Sequence, residues 1–298
     1  MLAFLAGLAA WSGMLISIYP TVASWFSQYD QSRLVGNYSS EVAGGLTPTA
    51  SQQLNEAHEY NDALNAGALL EANHRVPTGE GTSSNDDLDY ESILKVDATG
   101  VMARLKIPAI DVDLPVYHGT SDATLAKGIG HLEGTSLPVG GEGTRAVLTG
   151  HRGLATATLF TNLNRLEPGD TFTIEVLDQV LTYKVFDTKV VDPDETEALR
   201  TVPGKDLVTL VTCTPLGINS QRILVTGERI TPTPPSDLAD AGQASEIPGF
   251  PWWAVVIAGG TVLVGLYIWR SGYPPKTKAE TSRAMSAPTR TDQDTPAP

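Results

Sequence analysis

The sequence predicts a mainly β domain held between two membrane-spanning helices, and three observations carry that expectation. From Val101 onward, short β-branched and apolar runs follow one another at close spacing, punctuated by Pro108, Pro115, Pro138 and Pro168-Gly169-Asp170, which is an all-β pattern. Two uncharged apolar stretches bracket it, Met1 to Ile18 running on to Tyr29 and Phe250 to Trp269, each matching the roughly 20 residues that a bilayer requires. Hydrophobic residues make up 41% of the 298, enough for a sizeable core even with those stretches set aside.

Taken in order, the first stretch has neither a basic leader nor a small-x-small cleavage site, so a membrane span is expected in preference to a signal peptide. Asp30 to Ser51 is polar and rich in Gly, Ser and Thr without a clear period, and reads as a loop or membrane-proximal stalk. Across Thr49 to Asn73, Leu54, Ala57, Leu64, Ala68 and Leu69 recur at helical spacing, predicting an amphipathic helix that starts near Thr49 or Ser51. Val76 to Asp87 is irregular and leads into the acidic run Asp86-Asp87-Leu88-Asp89-Tyr90.

Strands are then expected at Val101 to Ile107, Val112 to Tyr117, Arg145 to Thr149, Thr171 to Leu177, Leu181 to Val191, Leu207 to Cys213 and Arg222 to Ile230. Short helical pieces fit Ser121 to Lys127, Leu159 to Leu166 and Asp194 to Leu199. So many strands in so short a stretch imply a closed barrel or a sandwich, because closure removes exposed edges. Thr231 to Pro248 is proline-rich and weakly apolar, a linker to the second span. Arg270, Lys276, Lys278, Arg283 and Arg290 follow that span, which keeps the tail cytoplasmic and the central domain outside the cell by the positive-inside rule. The expected organisation is therefore an N-terminal span (1–28), an extracellular helical and covering segment (29–95), a β-barrel (96–231), a linker (232–249), a C-terminal span (250–270) and a cytoplasmic tail (271–298).

Charge and cysteine content narrow the chemistry. A net charge of −14 argues against a nucleic-acid partner, whose phosphates call for clustered Lys and Arg. One cysteine excludes a disulfide framework and a multi-cysteine zinc site. No Gly-rich phosphate loop and no acidic run in EF-hand order is present, so neither a cofactor nor a metal is expected.

That single cysteine ends the apolar run Thr209-Leu210-Val211-Thr212-Cys213, and a turn-rich loop then leads to Arg222. It is a buried small residue, an intermolecular linker or a nucleophile. As a nucleophile it needs a basic or cationic partner, since a thiol of pKa about 8.5 is mostly protonated at neutral pH. Of the five histidines, His58 and His74 read as solvated helix residues, and His118 and His131 as structural ones. His151 stands in Ala146-Val147-Leu148-Thr149-Gly150-His151-Arg152-Gly153, at the glycine-flanked end of an apolar strand, where function concentrates. Arg152 beside it reads as a structural or surface residue.

Thr209-Leu210-Val211-Thr212-Cys213 resembles the T-L-x-T-C signature of sortases, and Thr149-Gly150-His151 with Arg222 completes that family's His, Cys and Arg set. The resemblance covers about Leu105 to Ile230 and includes Ile107-Pro108 and Asp113-Leu114-Pro115-Val116. The flanking spans and the acidic segment look like class C sortases, the pilus-polymerising branch in Gram-positive bacteria. The resemblance implies an eight-stranded β-barrel and cysteine transpeptidation. By that resemblance Cys213 would attack the Thr-Gly carbonyl of a signal similar to Leu-Pro-x-Thr-Gly, His151 would shuttle the proton, Arg222 would hold the substrate and stabilise the oxyanion, and a pilin lysine would accept the acyl group. The partners it implies are pilin subunits or surface proteins bearing such a signal, together with the membrane. Attachment of surface proteins to peptidoglycan and a non-catalytic binding barrel are the alternatives. Class C sortases carry an Asp-Pro-aromatic lid. Here the corresponding candidates are Asp87, Asp89 and Tyr90, without the proline, and a solvated acidic turn is the competing reading.

Overall fold

The computed structural model describes residues 2–65, 68–69, 78–79, 82–83, 88–245 and 248–271. Its centre is a closed barrel of eight strands. In chain order they are β1 (Val101–Ile107), β2 (Val112–His118), β3 (Ile129–His131), β4 (Thr144–Thr149), β5 (Thr171–Val176), β6 (Gln179–Val191), β7 (Asp206–Thr214) and β8 (Gln221–Arg229). Around the barrel the order is β6-β8-β7-β4-β3-β2-β1-β5. Only the β2–β3 and β4–β7 pairs are parallel. β3 was not among the expected strands. With three residues and a glycine at its middle it has too little pattern to be read, yet it closes the wall between β2 and β4.

Side chains alternate across the wall. Leu105, Ile107, Leu148, Ile174, Val208, Leu210, Ile223 and Val225 belong to the main core cluster, and all are buried. On the opposite face, Val147, Val211 and Leu224 form a second apolar row, roofed by Leu199 from the β6–β7 connection and joined by Leu132 and Val191. β7 is therefore buried on both faces, which explains its continuous apolar run.

The stretch expected as a stalk is helical instead: α1 runs unbroken over Leu2–Gly44. Beyond the apolar part, Gln31, Val35 and Tyr38 are buried and Val42 packs against the cluster that Tyr38 forms with Val101 and Tyr117, a helical spacing hidden by the small polar residues between. Tyr38 donates to the Met102 carbonyl at 3.1 Å and accepts from Leu177 N at 2.7 Å, and Gln31 donates to the Lys127 carbonyl at 3.1 Å. α2 (Ala50–Ala63) opens on a capping box between Thr49 and Gln52, as its sequence suggests. It stops short of the expected end, because Leu64–Asn65 and Ala68–Leu69 are extended; Asn73 lies outside the described residues. Leu54, Ala57 and Tyr60 bury against the barrel, and the Asn61 amide takes both backbone groups of Leu137. α3 (Asp122–Leu125) is capped by Ser121. The other two expected helical pieces reduce to 3-10 turns at Leu163–Arg165 and Thr196–Leu199.

The segment after the barrel is more than a linker. It contains α4 (Pro235–Ala239) and is strapped to the barrel by Thr233 Oγ1 donating to the Val180 carbonyl at 2.8 Å and Thr182 Oγ1 donating to Asp237 Oδ2 at 2.7 Å. Farther along, Arg104 is 1% exposed, grips Asp113 with two 2.7 Å bonds, reaches Glu175 at 3.3 Å and donates to the Gln243 carbonyl at 2.9 Å. A second compact unit consists of the first residues of α1 and α5 (Trp252–Ser271). There Trp11 Nε1 donates to Thr261 Oγ1 at 3.0 Å. Both α1 and α5 are long and apolar enough to cross a membrane.

Because Arg104 carries the balance of two carboxylates and one strap carbonyl, Arg104→Met is expected to destabilise the fold by about 3 kcal/mol, the cost of leaving buried charge without its partner. Denaturant unfolding of the detergent-solubilised chain reads this directly. A variant as stable as the parent would show that the cluster does not hold the strap.

Candidate active site

β4 and β7 run side by side in parallel, with Thr149 opposite Val211 as their last pair. Two residues further along each strand stand His151 and Cys213, so the register brings them to one level. β7 and β8 are antiparallel, and Cys213 is directly opposite Arg222. Such opposed positions have Cβ atoms about 5 Å apart. By alternation, Cys213 and Arg222 continue the outward row that begins with Val211 and Leu224, and His151 follows two residues past the end of β4. The sequence-predicted trio thus lies at one end of three adjacent strands.

The His151 turn is fixed from several sides. Gly150 N donates to the Val211 carbonyl at 3.1 Å, and Thr212 Oγ1 donates to the Gly150 carbonyl at 2.7 Å, joining the residues immediately before His151 and Cys213. A Cβ at Gly150 would stand 2.7 Å from Ile129 and 2.8 Å from Phe160, so only glycine lets the strand turn over that ring. The His151 carbonyl accepts from Phe160 N at 3.0 Å. Arg152 donates to Thr214 Oγ1 at 2.9 Å, to Asn164 Oδ1 at 3.0 Å and to the Thr161 carbonyl at 3.2 Å. Nothing in the run around Arg152 signals that fan of bonds, since its acceptors lie on other segments.

Burial and charge oppose each other at the thiol. Cys213 is 6% exposed, and burial pushes its pKa up, while the Arg222 guanidinium pulls it partly back. Arg222 is wholly buried, and its Nη1 donates to the carbonyls of Asn219 at 2.9 Å and Gln221 at 3.1 Å, so its own turn holds it in place. His151 is half-buried. A shielded thiol thus faces a fixed cation across two paired strands, with the His151 turn at the end of the neighbouring strand; a thiol and a cation so placed can serve attack on a carbonyl and stabilisation of an oxyanion. Among the described residues no group of three His, Cys, Asp or Glu side chains could hold a metal ion.

The remaining histidines and the covering candidates, where they are described, have partners of their own. His58 is half-buried on α2, and His74 lies outside the described residues. His118 donates through Nε2 to the Ile93 carbonyl at 2.7 Å. His131 is fully buried and donates through Nε2 to the Ser136 carbonyl at 2.8 Å, which leaves Nδ1 to accept from the Tyr90 hydroxyl at 2.9 Å. That hydroxyl also meets the His131 carbonyl at 3.1 Å and accepts from Gly119 N at 2.9 Å. Tyr90 is therefore built into the core among Tyr60, His118 and His131. Asp89 is exposed and caps its own turn by accepting from Glu91 N at 3.2 Å; Asp87 lies outside the described residues.

Residues 105–230 match the Sortase domain family. Sortase D of Bacillus subtilis is 31% identical over 152 residues, covering 50% of this chain and 74% of that protein. Among solved structures, sortase C-1 from Actinomyces oris is 49% identical with a TM-score of 0.54, covering 61% of this chain and 99% of that one. The sortase C structure from Streptococcus pneumoniae is 37% identical with a TM-score of 0.59, covering 68% and 99%. Sortase C1 from Streptococcus agalactiae is 39% identical with a TM-score of 0.58, covering 67% and 100%.

Two outcomes are expected from this geometry. Alkylation of Cys213 by a small haloacetamide should rise with pH to above the ordinary thiol range, and Arg222→Met should shift the curve further up by removing the cation that opposes burial; a downward shift would contradict the pairing. Burial holds His131 at about 4 against an ordinary 6.5, so the folded state binds fewer protons than the unfolded one between those values. Stability is full above about pH 6.5 and falls by roughly 3 kcal/mol as pH drops to about 4, with His118, also lowered by burial, adding in the same direction. Unfolding measured across that window should be flatter in His131→Gln.

Proposed function

The chain belongs to the sortase family, its structural neighbours are class C sortases, and on that premise we propose that it is a pilus-polymerising transpeptidase with Cys213, His151 and Arg222 as its working residues. The observation that carries the assignment is the strand register that faces Cys213 with Arg222 and brings the His151 turn to the same level.

The Cys213 thiolate attacks the Thr-Gly carbonyl carbon of a sorting signal, forming a C–S bond. Arg222 stabilises the oxyanion as the carbonyl oxygen gains charge. Collapse breaks the C–N bond, and the His151 imidazolium gives its proton to the departing glycine amine. A pilin lysine, entering as the free amine, then attacks the thioester. His151 takes its proton, an isopeptide bond forms, and the Cys213 thiolate is regenerated. Because burial raises the thiol, only a fraction of the enzyme holds the thiolate and imidazolium together, and the pH-rate profile is bell-shaped.

In this reading α1 and α5 cross the membrane, the barrel faces outward and the basic tail stays inside. Of the covering candidates Asp87, Asp89 and Tyr90, the two described residues act as anchorage in this reading: Tyr90 bonds to His131 of β3, and Asp89 shapes its own turn.

Incubation with a pilin bearing the signal should yield a ladder of covalent polymers that disappears with Cys213→Ala and requires the pilin lysine. Single proteins attached to peptidoglycan would instead assign the housekeeping reaction. For the covering segment, Tyr90→Phe should increase the alkylation rate of Cys213 at constant pH, and an unchanged rate would remove the segment from the account.

A further inference from the structure

We infer that Arg152 is a positioning residue of the reaction, its guanidinium fixing the His151 turn against the strand end that carries Cys213. The inference rests on the assignment of His151 and Cys213 as the reacting pair. Arg152 is the residue after His151, and Thr214 is the residue after Cys213. The 2.9 Å bond from Arg152 Nη1 to Thr214 Oγ1 therefore joins the two reacting positions one residue beyond each, and it crosses from one segment to the other. On the near side of the pair, Thr212 Oγ1 bonds the Gly150 carbonyl at 2.7 Å. The His151 and Cys213 backbones are thus stapled to each other both before and after the side chains that react.

The other two bonds of the guanidinium brace it. Nε donates to the Thr161 carbonyl at 3.2 Å and Nη2 to Asn164 Oδ1 at 3.0 Å, so the fork is held by the loop that returns from the turn. That loop is itself closed by Phe160 N on the His151 carbonyl at 3.0 Å and by Gly153 N on Thr161 Oγ1 at 3.1 Å. A planar fork with donors on three sides can serve three acceptors at fixed angles, which a lysine ammonium on a flexible stem cannot. Proton transfer demands the imidazole within about 3 Å of its target, and a displacement of about 1 Å costs up to 100-fold in rate. A bond that locks the His151 turn to the Cys213 strand bears on that distance, whereas bonds confined to the loop bear on its stability.

The test separates the two. Cys213 in the full-length, detergent-solubilised chain is alkylated with iodoacetamide across pH, with His151→Ala as the benchmark for loss of the imidazole. Arg152→Met and Thr214→Val should both bring the neutral-pH rate to near the benchmark value while leaving the alkaline plateau unchanged. The double variant should go no further than Arg152→Met, and Arg152→Lys should fall between. With a sorting-signal peptide, Arg152→Met should lower kcat by about tenfold or more with KM within about twofold. Arg152→Met or Thr214→Val keeping the parent alkylation profile, additive effects in the double variant, or a benchmark that matches the parent would each overturn the inference. A loss of melting temperature alone would assign Arg152 to loop stability and overturn it equally. Cleavage that survives Cys213→Ala would instead reject the underlying assignment.

Discussion

The parallel pairing of β4 with β7 is the constraint on which the rest of this molecule depends. Parallel neighbours point their carboxyl ends the same way, so residues just past the last shared pair come out together at one end of the sheet. Thr149 opposite Val211 is that pair, and His151 and Cys213 are what emerge. The antiparallel return of β8 then has to bring some residue opposite Cys213, and here it is Arg222. A one-residue slip in either pairing would turn strand side chains, Cys213 or Arg222 among them, to the other face of the wall. The hydrophobic pattern guards against that slip, because β7 is buried on both faces, by the barrel interior on one and by the row under the β6–β7 connection on the other.

Shielding the thiol comes with an electrostatic cost that the fold offsets only in part. Burial raises the pKa of Cys213, and Arg222, a cation that lowers it, is itself buried and held by carbonyls of its own turn. A guanidinium fixed beforehand need not reorganise as charge develops on the substrate, which is where such a group contributes most. The same rigidity runs through the His151 turn, where a glycine under Phe160 and bonds from Thr212 and Arg152 leave little room for the backbone to drift.

How much of this was legible in the sequence differs from element to element. Seven of the eight strands announced themselves through β-branched runs and punctuating prolines, and the trio was legible because each member sits at the edge of such a run. β3 was not, since Ile129-Gly130-His131 holds its place through neighbours on both sides and has no period of its own. The continuation of α1 past Tyr29 was missed because Gln31, Val35 and Tyr38 are spaced as a helix face among Gly, Ser and Asn, residues that read as loop until the surface they cover is known. Tyr90 shows a different limit. Its place after an acidic run suggests a lid residue, and the hold of its hydroxyl on His131 and Gly119 is visible only in the fold. The strap after β8 was likewise invisible, for its polar bonds to β5, β6 and Arg104 join residues far apart in the chain.

The central claim is that these three strand ends act as one site, with Cys213 as the atom that receives the acyl group. Intact-mass and peptide-level mass spectrometry of the chain after brief exposure to a sorting-signal peptide tests it most directly. The account predicts a mass increase equal to the peptide through its threonine, located on Cys213 and released by hydroxylamine. Cleavage that proceeds with the acyl group on another residue, or with none on the protein at any time point while product accumulates, would contradict it.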